Sequence, residues 1–205
     1  MSTPGRDPVA VSGHLTSGHL TVMFCDVADS TGHWTRLEPQ DFFEVVRAYQ
    51  ALCSRCVQRF DGHVAQYLGD GVLVYFGYPL AHEDDVARAL HAALAIIADL
   101  GQLNDADSAR GRPRISVRIG IHTGPVVIGR LGTAERGETL ALGCTPNLAA
   151  RLQALAAPDT VVISAATARL CQERFELEDL GPRALKGVPE LESIFRVVGP
   201  RPNQL

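Results

Sequence analysis

The sequence predicts one α/β domain with a mixed sheet. Three observations carry this. The apolar run Leu20–Phe24 ends in the turn-prone acidic cluster Asp26, Asp29, Ser30 and Thr31, as a buried strand does where it surfaces at its C-terminal end. Two long segments, 40–60 and 82–103, repeat apolar residues at helical spacing. Between them, two β-type runs flank Gly69-Asp70-Gly71, a hairpin signal because Asp-Gly supports a tight turn. A chain of 205 residues is long enough to bury a sizeable core as one domain.

Taken in order, residues 1–17 mix Pro, Gly, Ser and Thr without periodicity and are expected to form a flexible N-terminal segment. A strand covers His19–Cys25. A helix then runs from Gln40 to Phe60, with Glu38, Pro39 and Asp41 as its start chemistry and Asp61-Gly62 as its stop. The hairpin strands are His63–Leu68 and Val72–Phe76, closed by Gly77 and Pro79. The helix His82–Leu103 opens on Glu83, Asp84 and Asp85, as the helix dipole favours. A polar loop, Asn104–Arg112, precedes the alternating strand Arg114–His122. Thr123-Gly124 reads as a turn, and Pro125–Arg130 as a returning segment. Thr139–Leu142 is a short strand. Thr145 and Pro146 then read as N-cap and first residue of a helix reaching Leu155. A strand Thr160–Ile163, a short helix Ala165–Gln172 and late strands Phe175–Leu180 and Ser193–Val198 complete the domain, and 200–205 form a tail.

Hydrophobic residues are 46% and charged residues 20% of the chain, the balance of a globular protein that is soluble. The formal net charge of −4 carries no basic bias toward nucleic acid or an anionic membrane surface. No apolar run approaches a membrane span and the N-terminus lacks the apolar core of a signal peptide, so no membrane association and a cytoplasmic location are expected. Five scattered cysteines fit reduced thiols better than a disulfide framework. Cys53 and Cys56 form a CxxC, which lies inside a helical pattern without a second CxxC. It reads as two positions sharing a helix face. Cys144 reads as a small packed residue.

The chemistry concentrates at two acidic turns. Asp26 stands at the exit of the first strand and Asp70 at the hairpin tip, and neighbouring strands of one sheet would bring them together. Two carboxylates in one site suit two hard divalent cations, Mg²⁺ or Mn²⁺, which can clamp a phosphoryl group. The backbone N–H groups of Asp29, Ser30 and Thr31 would open the next helix, a natural phosphate cradle. An ordinary helix N-cap and a surface turn would use the same residues.

The segments FCDVADST, QYLGDG, VRIGIHTG, TPNLAARL and LKG, in that order, resemble the catalytic domain of class III nucleotidyl cyclases, and among these the bacterial soluble adenylyl cyclases. The match spans His19 to Val198. The resemblance implies a nucleotide cyclase fold over 18–199: a ferredoxin-like βαββαβ core with a mixed sheet and extra C-terminal strands. It implies conversion of ATP to 3′,5′-cyclic AMP and pyrophosphate with two Mg²⁺ or Mn²⁺ per site. Asp26 and Asp70 match the metal-binding aspartates, with the Val27 backbone carbonyl completing coordination. Asn147 and Arg151 match the pair that orients the ribose and stabilises the transition state, and their spacing of four puts both on one helical face. Arg118 and Lys186 match phosphate-binding cations. The family draws metals from one domain and the Asn–Arg pair from another, which implies a head-to-tail homodimer with two composite sites.

The base-selecting positions depart from the adenylyl pattern. A Lys and an Asp or Thr are usual there, and this chain has Gln66 and Leu140. Gln can meet an adenine or a guanine edge, and Leu can meet neither. A preference for ATP with weakened selectivity is expected, with a guanylyl or pyrimidine cyclase as the alternative. Other rivals are a catalytically silent nucleotide-binding regulatory domain, a diguanylate cyclase or polymerase-like palm, and a regulatory module with further domains of a longer chain.

Overall fold

In the computed structural model, residues 16–29, 38–108, 112–131 and 138–202 are described. The elements are β1 (Thr16–Val27), α1 (Pro39–Arg59), β2 (His63–Leu68), β3 (Gly71–Phe76), α2 (Asp85–Ser108), β4 (Val117–Leu131), β5 (Glu138–Leu142), α3 (Cys144–Leu155), β6 (Thr160–Ser164), α4 (Ala165–Cys171), β7 (Phe175–Ala184) and β8 (Leu191–Pro200). The sheet runs β2-β3-β1-β4-β6-β8-β7, with β5 added to β4. β4 and β6 are parallel and the other pairs antiparallel, so the sheet is mixed.

Alternation in β1 decides the layers. Met23, Cys25 and Val27 enter the main core with α1 and α2, while Leu20 and Val22 face a second cluster on the opposite side, which Ala149 of α3 closes. On α1 the stripe Val45, Tyr49, Leu52, Cys53, Cys56 and Val57 is buried, so the CxxC lies in the core on one helix face. The packing of α2 uses small residues: Ala89, Ala92 and Ala93 are fully buried beside Leu90 and Ile96. By length and composition alone this helix is apolar and long enough to cross a membrane, and its Ala89, Leu90, Ala92, Ala93, Ile96 and Leu100 are buried in the core. On the other face, a Cβ on Gly120 would collide with the Ala149 carbonyl oxygen and the Gln153 amide nitrogen. The glycine is what lets α3 lie directly on β4.

Several boundaries differ from the sequence reading, each for a tertiary reason. The turn read at Thr123-Gly124 is absent; β4 is a single strand of 15 residues. β1 pairs it from Thr16↔Ile128 to Val27↔Val117, which holds it extended through Pro125. On its other edge β4 meets β6 only over Arg118–Ile121 and β5 only from Val127 onward. Pro125 falls in that gap, and its carbonyl accepts the Thr145 hydroxyl at 2.7 Å. A strand residue's N–H and C=O point to the same edge, so the missing proline N–H costs no ladder bond. Thr145 therefore does not cap α3. Gly143 stands at the N-cap and the helix begins at Cys144. The hairpin turn is Gly69–Asp70, with Gly69 at φ 67°, and Gly71 already belongs to β3. β7 and β8 are both longer than expected because they pair with each other from Phe175↔Pro200 to Ala184↔Leu191.

The polar stretch from Asn104 continues α2 to Ser108. Asn104 is buried, and its side chain takes both backbone groups of Ile115: Nδ2 donates to the carbonyl at 2.8 Å and the Ile115 N–H donates to Oδ1 at 2.9 Å. Asn104→Leu strands both groups without a partner. Stability is expected to fall by about 2–4 kcal/mol in urea unfolding. A loss under about 0.5 kcal/mol would show that the pair contributes no more than an ordinary surface contact.

Candidate active site

Asp26 is the penultimate residue of β1, with Gly71 of β3 and Arg118 of β4 as its direct cross-strand partners. Directly opposed residues face the same side of a sheet, so Arg118 shares the carboxylate's face. The Gly71 position is open by necessity: a Cβ there would stand 3.3 Å from Asp26 Oδ1. Asp70 is the next residue back, in the hairpin turn. Burial, and then the negative charge of Asp70, hold the Asp26 carboxyl above its ordinary range. A hydrogen bond with the Val27 backbone and the Arg118 guanidinium partly oppose the shift. The Val27 side chain is buried in the core, so only its backbone is available to a ligand.

Arg118 Nη2 donates to Asp29 Oδ1 at 3.1 Å, while its Nε is buried without a hydrogen-bond partner among the described residues. A buried guanidinium N–H with nothing to donate to suits an incoming anionic oxygen. Asp29 is in the left-handed region at φ 53°, and its exposed carboxylate serves as counter-charge to Arg118. Ser30 and Thr31 lie outside the described residues.

A second group gathers on α3. Thr145, Ala149 and Leu152 are the buried residues of that helix. At 3.6 residues per turn, Asn147 sits about half a turn and Arg151 about a third of a turn from that stripe, so Asn147 faces away from the sheet and Arg151 lies on the helix flank. Asn147 Nδ2 donates to the Gly143 carbonyl at 3.3 Å. The Arg151 guanidinium reaches the turn between β7 and β8, where a Cβ on Gly187 would lie 3.4 Å from Nη2. Lys186 is the exposed residue beside it.

The base-selecting positions form a third group. Gln66 follows a bulge in β2 and opposes Leu73. Leu140 opposes Gly129 in β5, which lies against β2. The Tyr75 hydroxyl, missed by sequence reasoning, accepts the Ala141 N–H at 3.1 Å and so holds β5 over the β3 face. Its signal was legible in principle: an aromatic with a polar head, in a strand buried at every position, must find a partner.

These donors suit hard divalent cations. Asp70 lies near enough to act on the Asp26 carboxyl by its charge, with Gly71 and the Arg118 guanidinium beside them. Among the described residues no cluster of three or more His, Cys, Asp or Glu forms a metal site. A cation held by Asp26 and Asp70 would therefore complete its shell with backbone and substrate oxygens, as Mg²⁺ commonly does.

The family profile described as adenylate and guanylate cyclase catalytic domain matches residues 14–197. The chain is 32% identical over 182 residues to adenylate cyclase 1 of Rhizobium meliloti, covering 88% of this chain and 27% of that protein. It is 30% identical over 194 residues to an adenylate cyclase of Anabaena cylindrica, covering 90% of this chain and 38% of that protein. The chain thus spans well under half the length of these relatives. Among solved structures, the adenylyl cyclase CyaB from P. aeruginosa superposes with a TM-score of 0.88 at 27% identity, covering 92% of this chain and 97% of that one. The guanylyl cyclase Cya2 superposes with a TM-score of 0.85 at 26% identity, covering 93% and 97%.

Proposed function

The chain belongs to the adenylate and guanylate cyclase catalytic-domain family, and from that premise we propose that it converts ATP to 3′,5′-cyclic AMP and pyrophosphate as a homodimer. The observation that carries this reading is the Asp26–Asp70 pair, in which burial and then the Asp70 charge raise the Asp26 carboxyl, beside the Arg118 Nε, which has no hydrogen-bond partner among the described residues.

Asp26, Asp70 and the Val27 carbonyl would hold two divalent cations, Mg²⁺ or Mn²⁺. Their contribution when bound is a lower pKa for the ribose 3′-hydroxyl and neutralisation of the triphosphate. In the reaction the 3′-oxygen attacks the α-phosphorus in line and pyrophosphate leaves. Arg118 takes β- and γ-phosphate charge through its guanidinium, and Lys186 supplies a second cation. The Asp29 backbone N–H, with Ser30 and Thr31 after it, adds neutral donors. Arg151 stabilises charge at the α-phosphate and Asn147 orients the ribose, both reaching in from the partner subunit. Reduced cysteines and a soluble nucleotide substrate support a cytoplasmic location, and the longer relatives support further domains beside the region 18–199.

Base choice rests on Gln66 and Leu140. A site with few polar groups leaves little unpaired when the wrong base enters, and so discriminates weakly. With Mn²⁺ and equal concentrations of ATP, GTP, CTP and UTP, product is expected mainly from ATP, with detectable turnover of GTP. Preference for GTP would make this a guanylyl cyclase, and preference for CTP or UTP a pyrimidine cyclase. No product from a confirmed dimer would leave a nucleotide-binding regulatory domain.

A further inference from the structure

Asp26 stands near the end of β1 and Asp70 in the β2–β3 turn, and each is preceded by a residue that α1 holds. Gln50 Nε2 donates to the Gly69 carbonyl at 2.8 Å, immediately before Asp70. The Tyr49 hydroxyl donates to Cys25 Sγ at 3.1 Å, immediately before Asp26. Tyr49 and Gln50 are consecutive on α1. Successive helix residues point about 100° apart, so one turn of helix sends one side chain into the core and the next along the hairpin.

We propose that Tyr49 and Gln50 are positioning residues that together set the relation between the Asp26 and Asp70 carboxylates, and through it the affinity for divalent cations. The inference rests on the metal reading above.

The hairpin needs such a hold. β2 is an edge strand, and Tyr67, Leu68 and Gly69 are exposed at the tip. In a two-residue turn the central peptide carbonyl lies outside the strand ladder, and here it belongs to Gly69. Gln50 supplies its partner and ties the tip to a helix anchored in the core. β2 has a hydrogen-bonded strand neighbour on one side only, so the tip depends on this tie. The other half of the pair is stiffer: Tyr49 and Cys25 are both fully buried. Asp26 therefore serves as the fixed carboxylate and Asp70 as the one whose position Gln50 controls.

The test compares Gln50→Leu, which keeps bulk and loses the donor, with Gln50→Lys, which retains one, and with Tyr49→Phe. Mn²⁺ binding to the full chain is measured by calorimetry and by thermal shift, with a 3′-deoxy nucleoside triphosphate present, and metal-free melting is recorded alongside. Gln50→Leu is expected to weaken Mn²⁺ binding by about tenfold, as loss of a group orienting a ligand does. The nucleotide affinity without metal and the metal-free melting temperature should stay near wild type. Gln50→Lys should recover most of the loss, and Tyr49→Phe should weaken Mn²⁺ binding in the same direction. Unchanged Mn²⁺ affinity in Gln50→Leu, with binding intact in wild type, overturns this inference alone. So does a fall in metal-free melting that accounts for the whole loss and that Lys fails to rescue. A wild-type chain that binds no Mn²⁺ overturns the metal reading itself.

Discussion

Asp70→Asn should abolish cyclic nucleotide formation and, at the same time, make the metal-free protein more stable at neutral pH. Loss of one catalytic electrostatic donor costs about 10²–10³ in rate, and a lost metal ligand should cost at least that. The stability gain follows from the Asp26 carboxyl, held above its ordinary range by burial first and by Asp70 second. An acid whose folded pKa is raised contributes stability that is complete below its unfolded pKa, near 4, and lost as pH rises through the folded pKa. Above that window the ionised, half-buried Asp26 costs stability. Removing the Asp70 charge relieves part of the cost, while the larger burial effect remains. Calorimetry without metal should therefore show the variant melting above wild type at pH 7, with the gap closing toward pH 4. Added Mn²⁺ with nucleotide should stabilise wild type and not the variant. A variant that melts lower than wild type at every pH would mean that Asp70 is a structural turn residue. Wild-type turnover would remove it from the site.

That opposition between stability and function explains which parts of this molecule were legible in the sequence. Local repetition carries the helices: the stripe Val45–Tyr49–Leu52–Cys53 reports burial directly, because each residue's face is set by its own backbone, whereas the apolar run Leu20–Phe24 marks a buried strand without saying which layer each residue enters. The acidic turns at Asp26 and Asp70 were legible for a different reason. An acidic residue closing an apolar run, as Asp26 does, and a Gly-Asp-Gly turn between two β-type runs each announce a strand end from composition alone. What stayed hidden depends on partners distant in sequence. The extended path through Thr123 to Pro125 exists because β1 lies along it, and no local signal at Thr123-Gly124 reports that neighbour. Thr145 carries cap chemistry but spends its hydroxyl on Pro125. Asn104 reads as loop because polarity and burial cannot be told apart until Ile115 is placed beside it. Gln50 and Tyr75 escaped for the same reason: each acts on a backbone group of another element.

Mixing an Asp26→Ala chain with an Arg151→Ala chain should restore turnover that neither shows alone. Asp26 and Arg118 lie on the sheet, whereas Asn147 is on the face of α3 that turns away from it and Arg151 on that helix's flank. Arg151 is further directed toward the β7–β8 turn near Lys186 and Gly187. On the proposed roles, a single chain carries the metal-and-phosphate residues and the ribose-and-transition-state residues on differently directed surfaces. A two-fold axis between copies would place each half opposite its complement twice. Random pairing of the two variants at equal amounts makes half the dimers mixed, each with one intact and one doubly damaged site. Turnover should then reach about a quarter of wild type. The control separates this from a site within one chain. Wild type mixed equally with the Asp26→Ala/Arg151→Ala double variant should also retain about a quarter, because every mixed dimer has two damaged sites. Were each site internal to its own chain, the first mixture would stay silent and the control would retain about half. The opposite responses of the two mixtures decide whether the chain's catalytic unit is the monomer or the pair.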